Sequence, residues 1–151
     1  MLTFELSTEA KMTSGNPRKE RHGSEDGALA LDLDFACEVG FENLEQMALG
    51  DKYDWGHLYD KDGQVKNIGL KRVVFSREFE DHQISVWIGD RVFSLAEVHL
   101  KKFAAEPVFG GRVKLTFQAQ AHPHEVEIGP ILEGMVNGCK LEISGPADDA
   151  G

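Results

Sequence analysis

Apolar and polar residues alternate with a period of two through much of this chain. Over residues 28–39, Leu29, Leu31, Leu33, Phe35, Cys37 and Val39 fall on one face, while Asp32, Asp34 and Glu38 fall on the other. Over residues 112–122, Val113, Leu115, Phe117, Ala119 and Ala121 face inward, and Arg112, Lys114, Thr116, Gln118, Gln120 and His122 face outward. Shorter versions occur at Leu2, Phe4 and Leu6, at Ile84, Val86 and Ile88, and at Cys139, Leu141 and Ile143. Each predicts a strand with one buried and one wet face, the habit of antiparallel sheets; parallel sheets bury both faces and need helical crossovers.

Turn residues separate these runs: Glu80-Asp81-His82, Gly89-Asp90, Glu106-Pro107 and Gly110-Gly111. Residues 92–108 therefore read into 112–122 as a long hairpin. Two segments carry helical spacing. Phe41, Leu44, Met47 and Ala48 share one face, as do Ile131, Leu132, Met135 and Val136, with Pro130 suited to a first turn and Gly138 to a stop. The predicted fold class is mainly β, an antiparallel β-sandwich or open barrel of about six to eight strands with two short helices.

Composition places this pattern in one domain. The chain has 151 residues, 41% of them hydrophobic and 28% charged, enough to bury a sizeable core. We assign residues 1–144 to a single β-rich domain and 145–151 to a flexible tail with nothing to bury. The sequence has no 18-residue apolar run and its N-terminus lacks the order of a signal peptide. A soluble protein of the cytoplasm, without membrane contact, is expected. Cys37 and Cys139, 102 positions apart in alternating runs, read as buried thiols of a reducing compartment rather than as a disulfide or metal pair. A formal charge of −10 repels nucleic-acid phosphates at short range and attracts basic partners, or serves solubility alone.

No motif encodes a nucleophile with its base, and we expect neither catalytic residues nor a cofactor nor a metal. His122-Pro123-His124 lacks a third ligand by spacing and reads as an exposed strand end. Asp60-Lys61-Asp62-Gly63 departs from the calcium-loop order and reads as a turn. Residues 50–66 form a loop in which Tyr53, Trp55 and Tyr59 stand among Asp51, Asp54, Asp60 and Asp62, its aromatics divided between core cover and contact surface. Asp32 and Asp34 share a solvated face. Residues 13–27 read as a polar loop between strands. It holds Arg18, Lys19, Arg21 and His22, suited to a phosphate or a partner's carboxylates, with Glu20, Glu25 and Asp26 nearly neutralising it.

Asn16-Pro17-Arg18 with Glu20, His22 and Gly23, the strand Ala30-Leu31-Asp32-Leu33, and Leu100-Lys101-Lys102-Phe103 carry a resemblance. So do Glu106-Pro107, Gly110-Gly111 and Ala121-His122-Pro123. In these the chain resembles a group of uncharacterised accessory proteins of tailed bacteriophages and prophages, with residues 50–69 unmatched. The resemblance implies a phage origin and carries no established activity. It implies work on a host protein in the bacterial cytoplasm, as by non-enzymatic inhibitors of CRISPR effectors or host nucleases, whose nucleic-acid clefts are basic.

The expected contact residues are Arg18, Lys19, Arg21, Asp32, Asp34, Asp51, Asp54, Trp55 and Tyr59. An alternative is a single-stranded nucleic-acid accessory protein using Lys101, Lys102, Phe103, Phe109, Arg112 and Lys114. A virion component is a third reading. Oligomeric state stays open, a homodimer included.

Overall fold

A computed structural model describes residues 3–20, 28–47, 58–66 and 72–146. The elements are β1 (Leu6–Glu20), β2 (Ala28–Gly40), a 3-10 helix (Phe41–Met47), β3 (Val73–Val74), β4 (Phe79–Ile88) and β5 (Arg91–Val108), followed by β6 (Arg112–Ala121), α1 (Glu125–Leu132), α2 (Gly134–Asn137) and β7 (Cys139–Ser144). All strand pairings are antiparallel, in the order β3-β5-β4-β7-β1-β2-β6, with β5 also paired to β6. Leu100 faces Phe79 of β4 on one side and Ala119 of β6 on the other. That double pairing joins the ends of the ladder, so β4, β7, β1, β2, β6 and β5 run round as a barrel, with β3 added against Ala104 and Ala105. The mainly β, antiparallel expectation holds.

Bulges bend the strands far enough to close. Between Phe79 and His82, β4 advances three residues while β5 advances two, and the extra residue, Asp81, has φ 57. β5 takes its own extra residues at Glu97, φ 55, and Lys102, φ 58, and β1 shifts register between Met12 and Ser14. Such insertions raise local twist and re-aim a strand, which a small barrel requires at its corners. Two predicted turns are thereby corrected. Glu80-Asp81-His82 is a bulge inside β4, and Glu106-Pro107 continues β5, where these residues face Lys114 and Val113. Gly89-Asp90 and Gly110-Gly111 do turn, with φ 64 at Gly89 and 88 and 72 at the pair. Asp62-Gly63 turns as well: Asp60 Oδ1 accepts from the amides of Asp62 and Gln64, both at 2.9 Å.

The polar stretch from residue 13 is also corrected. Residues 13–20 belong to β1 and pair with β2, Ser14 against Asp34, Gly15 against Leu33 and Pro17 against Leu31; residues 21–27 lie outside the described residues. No apolar alternation marks this half of the strand because its inward position at Gly15 is filled from outside the strand. Leu132 of α1 lies against Gly15, and Leu33 Cδ2 borders the same space. With Ile131 fully buried and Ile128 packed on the core, α1 covers this part of the barrel interior.

The helical segments differ from expectation in their bounds. α1 begins at Glu125, after His124, whose backbone N–H donates to Glu127 Oε1 at 3.0 Å, a capping arrangement that starts the helix a turn early. Pro130 accordingly sits inside α1, and the helix breaks into α2 before Gly138 ends it at φ 76. The segment 41–47 is 3-10 rather than α, anchored by buried Leu44; Ala48 falls outside the described residues.

The core is aromatic at its centre. Phe103 stacks on Phe117 at 5.4 Å and meets Phe4 at 5.1 Å and Phe79 at 5.6 Å, while Phe117 also meets Phe35. Each such ring contributes on the order of 1.5–3 kcal/mol by burial. His82 is fully buried beside them: its Nε2 accepts from the Phe4 amide at 2.9 Å and its Nδ1 donates to the Glu80 carbonyl at 2.9 Å. The bulge at Asp81 is what turns this imidazole inward.

Candidate partner-binding surface

The outer face of β1, β2, β6 and β5 carries a cross-strand polar belt. Asp34 is paired opposite Ser14 and Gln118; it accepts from Ser14 Oγ at one carboxylate oxygen and from Gln118 Nε2 at 3.0 Å at the other. Asp32 accepts from Arg18 Nε at 2.8 Å, and its side chain is only 14% exposed. With the Gln120 amide oriented by its neighbours, its oxygen accepts from Lys101 Nζ and Arg18 Nη2, both at 3.1 Å. Thus Arg18, Asp32, Asp34 and Lys101 of the expected contact sets are drawn together, but into one another. Hydrogen bonds to charged groups of this kind contribute about 1.5–3 kcal/mol each when shielded from water, and they stiffen the wall.

The other expected residues disperse. Lys19 is exposed opposite Leu29, while Arg21, Asp51, Asp54 and Trp55 lie outside the described residues. Tyr59 is buried; its ring packs on Phe41 at 5.8 Å and its hydroxyl donates to the Arg112 carbonyl. Burial raises the pKa of this phenol, partly offset by a hydrogen bond from the Val108 backbone. Tyr59 is therefore core cover.

In the second set, Phe103 is fully buried and offers no face to a base, whereas Phe109 is 61% exposed at the β5–β6 hairpin tip. Arg112 binds Glu38 through Nε at 3.1 Å and its carbonyl through Nη2 at 2.7 Å. Lys102 stands on a bulge and Lys114 lies toward the opposite end of the hairpin from Lys101. These residues form no single stripe.

Two surfaces come together that residue types alone did not indicate. The first is an acidic corner at the double bulge of β4 and β5, where Glu78, Glu80, Asp81 and Glu97 are all exposed. His99 Nε2 is hydrogen-bonded to Glu78 Oε1, with Glu80 Oε1 3.9 Å from its Nδ1. Asp81 and Glu97 both hold left-handed backbone, which costs about 1–2 kcal/mol for a residue with a Cβ. The signal existed in the sequence: inward residues step by three rather than two at each bulge, from Phe79 to His82 and from Leu95 to Val98.

The second is a groove of about 960 Å³ across the outer wall, bordered by Trp87, Lys140, Lys11 and Lys114 with Glu9 and Glu38. Lys140 Nζ lies 5.6 Å from the Trp87 ring centre, and Lys140 faces Glu9 across the β1–β7 ladder. Cys139 and Cys37 also line this groove, with Ala10 between them: Ala10 faces Cys139 and follows the Lys11–Ala36 register towards Cys37. Two strand spacings are about 9–10 Å, beyond the roughly 7 Å that a disulfide spans. Both thiols are free; Cys37 is buried as expected, whereas Cys139 is only half-buried. Burial, aided by the neighbouring Cys139, pushes Cys37 up to about 12, and burial pushes Cys139 up to about 11. Such thiols resist ionisation and are poor nucleophiles near neutral pH. Comparison with protein-family models, with curated proteins and with solved structures finds no match for this chain.

Proposed function

We propose that the protein is a non-enzymatic accessory protein of phage type that binds a host macromolecule through acidic surface, as an inhibitor of a nucleic-acid-handling defence effector would. The observation that carries this reading is the corner made by Glu78, Glu80, Asp81 and Glu97, where two strained bulges are kept at an exposed, highly charged site. Strain of this kind persists where the surrounding fold over-determines it, and it concentrates at functional surfaces. A compact carboxylate cluster matches a basic cleft by complementary potential and hastens encounter. The formal charge of −10 adds to the same field.

The test is capture of host proteins from lysate by the immobilised chain, followed by a salt titration. Wild type retains a host protein at low salt and releases it as salt rises, and combined Glu78→Gln, Glu80→Gln, Asp81→Asn and Glu97→Gln reduces retention at least about tenfold. Retention that is equal for both proteins, or absent from wild type at low salt, defeats the reading.

The groove favours a second reading, binding of single-stranded nucleic acid. Trp87 supplies an aromatic surface, and Lys11, Lys114 and Lys140 can meet phosphates, while Glu9 and Glu38 work against them. A gel shift with labelled oligonucleotides that is lost in Trp87→Ala supports it; no shift at micromolar protein and low salt removes it.

A further inference from the structure

Arg77 lies in the short link between β3 and β4 and is 8% exposed. Its guanidinium stands 5.9 Å from the centre of the Phe79 ring, which itself packs against Phe4 and Phe103. The link is held to β5 by the Phe75 amide, which donates to the Phe103 carbonyl at 2.9 Å. Arg77 Nε and Nη2 are both buried, and neither meets a hydrogen-bond acceptor among the described residues. These two nitrogens form one edge of the planar guanidinium, and their N–H bonds run parallel. That edge is the one that donates to two oxygens of a single oxyanion at once.

A buried cation without a partner carries a large desolvation penalty, and native structures pair nearly all such groups. The ring of Phe79 balances part of the charge from one side but offers nothing to the N–H edge. We infer that Arg77 is a binding site for a carboxylate, held in two parallel hydrogen bonds by Nε and Nη2 over the Phe79 ring. The carboxylate is favoured over phosphate because the surroundings are aromatic and a single Arg supplies one positive charge. A carboxylate brings one negative charge and cancels it, whereas a phosphate dianion leaves a buried excess. Arg77 directly precedes Glu78 of the acidic corner in the chain, but its side chain is buried where that of Glu78 is exposed, and the inference does not depend on the proposed partner.

The experiment is thermal unfolding of the full chain at fixed ionic strength, with sodium chloride replaced stepwise by sodium acetate in one arm and by sodium phosphate in another. For wild type the midpoint rises in acetate, by about 3–5 °C for each tenfold increase above the dissociation constant. Arg77→Met unfolds in chloride at or above the wild-type temperature, because a buried unpaired cation has gone, and it shows no specific acetate effect. Arg77→Lys keeps the charge without the fork and needs at least about tenfold more acetate for the same rise. Equal acetate responses in wild type and either variant overturn the site, as does no response in wild type, the outcome if only water meets the two nitrogens. A response to phosphate alone overturns the carboxylate assignment.

Discussion

Leu132 of α1 occupies the space that a side chain on Gly15 of β1 would need. The pair ties α1 to the barrel wall, since Gly15 faces Leu33 in the β1–β2 ladder and the neighbouring Ile131 is fully buried. Gly15→Ala therefore forces Leu132 off its rotamer or lifts α1, with an expected loss of about 1–3 kcal/mol in urea unfolding. Gly15→Ala combined with Leu132→Ala should be less unstable than the sum of the single changes. A strictly additive double variant would deny the contact.

The bulge residues give a prediction of opposite sign. Glu97 and Lys102 are exposed and have φ of 55 and 58, a region where glycine has no Cβ to clash. Lys102→Gly is expected to leave stability unchanged or raise it by up to about 1 kcal/mol, in contrast to glycine elsewhere in a strand. Lys102→Val should lower it by more than 1 kcal/mol, roughly, because a β-branched residue fits left-handed backbone worst. Denaturant midpoints of the two variants decide the matter, and a destabilised glycine variant would show that the bulge is not strained.

His82 ties the segment at Phe4 to the bulge of its own strand by its two ring nitrogens, through the Phe4 amide and the Glu80 carbonyl, within an aromatic cluster. His82→Ala removes the ring and strands a buried N–H at Phe4. The expected loss is about 3 kcal/mol or more, readable by chemical unfolding and by faster hydrogen exchange at the Phe4 amide. A loss below about 1 kcal/mol would make the imidazole incidental.

The two thiols set an alkaline limit. Folded-state values of about 12 for Cys37 and 11 for Cys139 lie above the ordinary 9.0, so the unfolded chain gives up its thiol protons first as pH rises. Their contribution is intact below about pH 9 and declines from there towards pH 11–12, and stability falls across that window. Cys37→Ala should flatten the fall between pH 8.5 and roughly 10.5 in urea unfolding. In parallel, a thiol reagent at pH 8 should modify the native chain far more slowly than the denatured one. A native chain that reacts at the denatured rate would contradict the burial of these groups.

β2 and β6 were legible because inward and outward residues alternate throughout β6 and, beyond the buried neighbours Ala30 and Leu31, along the rest of β2. The bulged strands were legible only in part. Phe79 to His82, Leu95 to Val98 and Leu100 to Phe103 each step by three between buried residues, and such a step resembles a turn until its partner strand is known. Asp32 and Asp34 were placed on the outer face correctly, but their partners Arg18, Ser14 and Gln118 come from other strands, so local spacing could not show that these carboxylates are satisfied. The acidic corner escaped for the same reason, as Glu97 is brought beside Glu80 and Asp81 by register alone.

Taken by itself, the amino-acid order determined the class of fold, the antiparallel habit and the hairpin from β5 to β6, since these follow from local periodicity and from glycines able to take positive φ. Closure of the barrel, the strand identity of residues 13–20, the inward turn of His82 and the burial of Arg77 were decided by tertiary structure alone. Each depends on a group far away in the chain: Ala119 meeting Leu100, Leu132 filling the place of a side chain at Gly15, Phe4 donating to His82, and Phe79 lying beneath a guanidinium. Period-two patterning records which face of a strand is buried, and it holds no information about what comes to bury it.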